Sequence, residues 1–175
     1  MLKTLACVAA VLLMSVPAAP ARGLEAPTVV IVVRHAEKAA AEGGDPPLSE
    51  AGRKRAERLA DIGEQAGVQH AYTTQFKRTR ETARPLVERL KIPAQAVELT
   101  GANIAGHPAA LAAEIKAKHK GKTVLVVGHS NTAPRVAAAL SGRPIPDLDD
   151  ATEFDALFVV IIPADGPARL VRAKY

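Results

Sequence analysis

Two runs of mostly β-branched residues constrain this chain more than anything else in it: Thr28-Val29-Val30-Ile31-Val32-Val33 and Thr123-Val124-Leu125-Val126-Val127. Neither alternates polar with apolar residues. Each therefore reads as a strand buried on both faces, as in a parallel sheet covered by helices on both sides. Each run gives way to residues that include a histidine: Arg34-His35 after the first and Gly128-His129-Ser130 after the second. In an open α/β sheet the carboxyl ends of the strands share one rim, where ligands bind. Two histidines and an arginine on that rim point to phosphate chemistry.

Between and beyond these strands the chain alternates strand and helix signals. Ser49 is a good N-cap, followed by Ala51, Ala56, Leu59, Ile62 and Ala66 at helical spacing and by Gly67 as the stop. Ala71-Tyr72-Thr73 reads as a short strand. A second helix is expected around Gln75, capped by Thr74, with Pro85 breaking or kinking it because proline has no N–H to donate. Ala96–Leu99 is a weak strand, Pro108–Lys118 a third helix, and a fourth helix holds Pro134 in its first turn and ends near Gly142. Leu157–Ile162 and Ala168–Ala173 flank the turn Pro163-Ala164-Asp165-Gly166, as antiparallel strands do. The expected fold is a three-layer α/β/α sandwich with a mostly parallel central sheet and an antiparallel edge strand.

Residues 1–23 read as a secretory signal peptide. Lys3 is the positive start, Leu5–Val16 an apolar run of 12 residues, and Pro17-Ala18-Ala19-Pro20-Ala21 the small-residue region for cleavage. That run is short of the ~20 residues that cross a bilayer as a helix, so no stable membrane anchor is expected after cleavage. The domain proper is then 24–175, periplasmic or secreted. The one cysteine, Cys7, leaves with the signal, and with it any disulfide, thiol nucleophile or cysteine metal ligand. Loss of Lys3 and Arg22 takes the formal charge from +5 to +3. With aromatics at 3 % and no tryptophan, there is no platform on which bases could stack, so nucleic acid is not an expected partner. The oligomeric state is not readable.

Gly128-His129-Ser130 resembles half of the Gly-x-Ser-x-Gly elbow of serine hydrolases, but the fifth position is Thr132. In that fold the catalytic histidine follows the serine, and no histidine follows His129. A metal hydrolase would need a site such as His35, His129 and Asp45, without a paired His-x-x-x-His or a cysteine. No glycine-rich loop with Lys and Ser/Thr is present for a nucleotide. What remains is phosphoryl transfer to histidine. Arg78, in Thr73-Thr74-Gln75-Phe76-Lys77-Arg78-Thr79, supports it, since it lies in the first turn of a helix where backbone N–H groups and a guanidinium both attract phosphate oxygens.

Arg34-His35-Ala36-Glu37, Leu48-Ser49-Glu50-Ala51-Gly52, Thr73 to Thr79 and Gly128-His129-Ser130-Asn131 together resemble the histidine phosphatase superfamily, with its phosphoglycerate mutase-like fold. The resemblance spans nearly all of the chain after the signal. It implies that His35 is the nucleophile that becomes phosphohistidine and that Arg34, Arg78 and His129 hold the transferred phosphoryl group. Guanidinium groups nearby would keep His35 neutral, with its lone pair available. The scheme needs no metal and no cofactor. Many members protonate the leaving oxygen with an acid placed between the Arg78 helix and the last histidine motif. Glu98 and Glu114 occupy that stretch here, but Glu37, two residues past the nucleophile, is the preferred candidate, with Asp45 as a rival. His107 precedes a helix and could reach the substrate, whereas His119 reads as decorating a helix C-terminus and His70 as a surface residue.

The expected function is thus an exported, metal-independent phosphoric monoester hydrolase acting on a small phosphorylated substrate. Mutases of this superfamily are usually longer and cytosolic, which favours hydrolysis. A phosphomutase, or a catalytically weak protein that binds a phosphorylated ligand, are the alternatives.

Overall fold

The computed structural model describes residues 25–40 and 44–175. The signal reading of residues 1–23 lies outside the described residues. Strand β1 (Thr28–Arg34) leads through α1 (Glu50–Gln65) to β2 (Val68–Thr74), then through α2 (Lys77–Leu90) to β3 (Ala94–Val97). Helix α3 (His107–Lys118), β4 (Thr123–Gly128), α4 (Thr132–Ser141), β5 (Ala156–Ile162) and β6 (Arg169–Lys174) follow. The six strands form one sheet in the order β3-β2-β4-β1-β5-β6. The first four are mutually parallel, and β5 runs antiparallel to both β1 and β6.

Alternate residues of the central strands feed opposite layers, because side chains of a strand point to its two faces in turn. Val30, Val32, Val124 and Val126 pack with Leu111, Ile115, Val136 and Leu140 of α3 and α4. Ile31, Val33, Leu125 and Val127 pack with Leu59, Ala60, Ala83 and Leu86 of α1 and α2. This is the three-layer α/β/α sandwich expected from the sequence, and continuous apolar strands are what a sheet covered on both faces demands.

Two local expectations are corrected. Thr74 does not cap α2; it is the last residue of β2, and its hydroxyl meets Thr79 Oγ1 at 2.9 Å. The helix begins at Lys77 without a side-chain cap from its own N-cap residue, Phe76. Asp45 supplies the acceptor instead, taking the Lys77 N–H at 2.9 Å. Pro85 does not end α2, which continues to Leu90. Burial of Thr82, Ala83 and Leu86 on either side of the proline holds that segment against the sheet and outweighs one missing backbone hydrogen bond.

The chain leaves β1 toward β2 and later returns to place β4 between them, so the strand order reverses at the β1–β4 pair. Arg34 and Gly128 are register partners at its end, and the His35 N–H donates to the Gly128 carbonyl at 2.9 Å. Both histidine motifs therefore stand side by side at the topological switch point, where α/β sheets open a crevice.

Candidate active site

His35 is 3 % exposed, on the first residue beyond β1. Its Nδ1 lies 2.8 Å from the Ala36 carbonyl, an atom that can only accept, so Nδ1 carries the proton and Nε2 keeps its lone pair. Burial, with the nearby His129, Arg34 and Arg78, lowers its pKa to about 3 against the pull of the Ala36 carbonyl. At neutral pH it is an uncharged imidazole whose tautomer is fixed by the backbone. That backbone is itself held: the Ala36 N–H donates to Thr82 Oγ1 at 3.0 Å, and the Thr82 hydroxyl donates to the Arg78 carbonyl at 2.7 Å.

The His129 ring stands edge-on to His35, centroids 5.4 Å apart. Its Nε2 is 3.1 Å from Thr74 Oγ1, and burial followed by the charges of Arg78 and Arg34 lowers its pKa to about 4. Gly128 allows this approach of strand and helix. A Cβ there would come within 2.9 Å of Thr132 Oγ1, the atom that receives the His129 N–H.

Arg34 is fully buried. Its Nη1 donates to the Asp149 carbonyl at 3.0 Å, and its Nη2 to the Asp150 carbonyl at 2.8 Å and to Asp150 Oδ1 at 2.7 Å. The guanidinium lies 3.9 Å above the Phe154 ring, and Nε is buried with no partner among the described residues. Arg78 repeats the pattern: it stacks on Phe76 at 4.3 Å, lies 3.5 Å from Asp45, and also keeps a buried Nε without a partner among the described residues. Each arginine thus holds a donor in reserve on an aromatic plate that fixes its plane.

A cavity of about 420 Å³ opens over this arrangement, lined by His35, His129, Arg78, Lys38, Asp150 and the Leu99–Gly101 turn among others. Gln75 holds that turn by both ends of its amide: Nε2 donates to the Leu99 carbonyl at 2.7 Å, and Oε1 accepts the Leu99 N–H at 2.9 Å.

The structure brings His35, His129 and Arg78 together around the cavity and sets Arg34 behind them. It does not bring Glu37 to the cavity lining. Arg55 grips both of its carboxylate oxygens at 2.7–3.0 Å. Burial alone would raise the Glu37 pKa, but those hydrogen bonds and the Arg55 and Arg58 charges hold it below the usual value. Asp45 is engaged by α2 and Arg78. Glu114 sits on α3 against Tyr72 and Lys118, and Glu98 gives its carbonyl to Asn103. His107 is buried and adds to the charges felt by His129 without lining the cavity.

Asp150, Phe154 and Lys38 were not indicated by the sequence. Asp150 is the carboxylate at the cavity, 2.8 Å from the Ser130 hydroxyl. That hydrogen bond and the Arg34 charge keep it below the usual carboxylate range against the effect of burial. It arrives on the loop after α4, which is tied to the two histidine motifs by Arg34, by the Ser130 hydroxyl and by the Leu148 N–H, which donates to the Ser130 carbonyl at 2.8 Å. Among the described residues, no cluster of three or more His, Cys, Asp or Glu could hold a metal ion, and no helix is long and apolar enough to cross a membrane.

The family model of the histidine phosphatase superfamily (branch 1) matches residues 30–99. No curated protein matches the chain. The structure of the protein histidine phosphatase SixA complexed with tungstate superposes with a TM-score of 0.63 at 19 % identity, covering 83 % of this chain and 96 % of that one. A mycobacterial glucosyl-3-phosphoglycerate phosphatase gives 0.60 at 18 % identity, covering 83 % and 96 %. Bacillus stearothermophilus YhfR gives 0.59 at 23 % identity, covering 84 % and 96 %.

Proposed function

We propose that this chain, which belongs to the histidine phosphatase superfamily by its matched segment and its fold, hydrolyses phosphate monoesters through a phosphohistidine on His35. One observation carries the reading: the Ala36 carbonyl holds the proton of His35 on Nδ1, leaving Nε2 as a neutral nucleophile at a cavity it shares with Arg78 and His129.

In the first step Nε2 attacks phosphorus, an N–P bond forms, and the bond from phosphorus to the leaving oxygen breaks. Charge spreads over the three remaining phosphoryl oxygens, and Arg78, the reserve donor of Arg34 and the His129 ring stabilise it. In the second step water attacks phosphorus, the N–P bond breaks, its electron pair returns to Nε2, and the proton of the water passes to solvent. The guanidinium groups do the work that metal ions do in other phosphatases.

The ionised state of Asp150 and the Arg55 clamp on Glu37 both argue against a poised carboxylic acid. The enzyme is therefore matched to leaving groups that depart without a proton from the protein. Aryl phosphates fit, as do N-phosphorylated imidazoles, in keeping with the protein histidine phosphatase it superposes on.

The test is a leaving-group series. Phospho-enzyme formation should fall steeply as leaving-group pKa rises, should be unchanged in Glu37→Gln, and should survive chelators while vanadate or tungstate inhibits. A flat dependence that turns steep in Glu37→Gln would assign the acid to Glu37 and reject an acid-free step. We propose export with the signal removed on the sequence pattern of residues 1–23. Intact mass of envelope protein should then begin between Ala19 and Pro27.

A further inference from the structure

A second concavity adjoins the site. Helix α2 and strand β3 enclose a groove of about 360 Å³. Its apolar lining is small, with Ala83 and Val87 on the helix and Ala94 and Ala96 on the strand, and its rim is basic. Lys77, Arg80 and Arg84 stand at i, i+3 and i+7, one exposed face of α2. No ion pair among the described residues takes Lys77 or Arg80, and Arg84 meets the exposed Glu88 only at 4.0 Å. Glu81 also lines the groove, but its carboxylate accepts the Leu48 N–H at 2.8 Å. Exposed Glu98 follows β3, leaving the rim net positive.

Strand β3 is an edge of the sheet. The Ala71 N–H of β2 donates to the Pro93 carbonyl at 3.0 Å. By the alternation of a parallel ladder, residues 95 and 97 also turn their polar groups to β2, while Ala94 and Ala96 turn theirs outward. Open N–H and C=O groups thus lie beside a row of cations. The groove and the catalytic cavity share no lining residue, but their linings are neighbours along the chain: Thr73 lines the groove and Thr74 meets His129, while Lys77 lines the groove and Arg78 the cavity.

We propose that this groove binds an extended, acidic segment of a partner protein, which adds to β3 as a further strand with its carboxylates against Lys77, Arg80 and Arg84. Charge complementarity and the free strand edge select that occupant. No aromatic side chain lines the groove to stack a base, which disfavours nucleic acid. A phosphorylated residue carried beyond the segment would reach the catalytic cavity; that extension alone rests on the phosphatase reading.

The probe is a fluorescein-labelled peptide of alternating Glu and Val, followed by fluorescence anisotropy on the full chain and on its His35→Ala variant, so that binding is scored without turnover. The peptide should bind both, more weakly as salt rises. Arg80→Glu with Arg84→Glu should weaken binding by about tenfold or more while leaving aryl phosphate turnover unchanged. Ala96→Pro removes one outward N–H from an edge strand that tolerates proline, and should weaken binding to a similar degree. Should that variant lose turnover through misfolding, a peptide N-methylated at alternate residues tests the same hydrogen bonds on the unaltered protein. Binding undiminished in the charge-reversed variant would overturn the proposal, as would binding indifferent to both Ala96→Pro and N-methylation. A single-stranded oligonucleotide binding more tightly, with the same dependence on Arg80 and Arg84, would overturn the choice of a polypeptide.

Discussion

The molecule holds two histidine pairs, and the closer one is not at the cavity. His70 and His119 have ring centroids 4.6 Å apart, against 5.4 Å for His35 and His129. Burial is the largest cause lowering the pKa in all four. Their surroundings differ. His70 lies near the start of β2 and His119 at the end of α3, where His119 Nε2 meets the Tyr72 hydroxyl at 2.9 Å and Tyr72 donates to Glu114 at 3.2 Å. The charges around that pair are Lys118, Lys122 and Glu114. His35 and His129 lie at the carboxyl ends of β1 and β4, with two stacked arginines that keep donors in reserve. Proximity and a depressed pKa do not by themselves support the proposed phosphoryl chemistry. A lone pair fixed by the backbone, open space in front of it and guanidinium N–H groups unengaged among the described residues are what support it.

The largest contrast between the pairs is in turnover. His35→Ala should abolish it, whereas His119→Ala should leave kcat within about twofold and lower unfolding stability by about 1–3 kcal/mol, since the Tyr72 hydroxyl loses a buried partner. Aryl phosphate kinetics beside urea unfolding separate the two, and a catalytic collapse in His119→Ala would erase the distinction. Arg78→Ala and His129→Ala come next. Each should reduce kcat by about 10²–10³, the loss expected when one group stabilising developing charge is removed. A rise in KM with kcat unchanged would make them binders of the ground state only.

Thr82→Val sharpens the comparison further, because it acts on the backbone that orients His35, whereas His119 is met by the Tyr72 side chain. It strands the Ala36 N–H and loosens the carbonyl that fixes the His35 tautomer. Turnover should fall about tenfold, mainly in kcat, with Thr82→Ser restoring most of it. Unchanged kcat in Thr82→Val would remove Thr82 from the positioning chain. A separate effect, on stability and not on turnover, is in acid. His35 and His129 are held near about 3 and about 4 when folded, but take protons near ~6.5 when unfolded. Their neutral burial is fully compatible with folding above that value, and stability is lost as pH falls from about 6.5 toward about 3. The decline should be shallower in His35→Ala, and equal slopes would contradict the low folded pKa.

The two apolar runs made the layered fold legible, because a strand buried on both faces admits no polar residue until its end. Ser49 was legible for the same kind of local reason: its hydroxyl takes the Gly52 N–H at 3.0 Å, as an N-cap does. Thr74 was misread as a cap, and Pro85 does not break α2, because tertiary contacts override local preference there, with Asp45 arriving from another loop and the sheet holding α2 in place. Glu37 looked available from its position two residues past His35. Its partner Arg55 lies on α1, and nothing in the sequence says that the two meet. Asp150 and Phe154 come from a loop with no periodicity, so only the folded chain brings them to Arg34. The burial of His119 is likewise a product of packing against Tyr72.

The central claim concerns one atom, Nε2 of His35, and the phospho-enzyme tests it directly. Rapid quenching during turnover of a radiolabelled aryl phosphate should trap label on the protein that is labile in acid and stable in base, the behaviour of a phosphoramidate. Peptide mapping should place it on His35, and His35→Ala should trap none. Label that survives acid, or that persists in His35→Ala, would contradict the account.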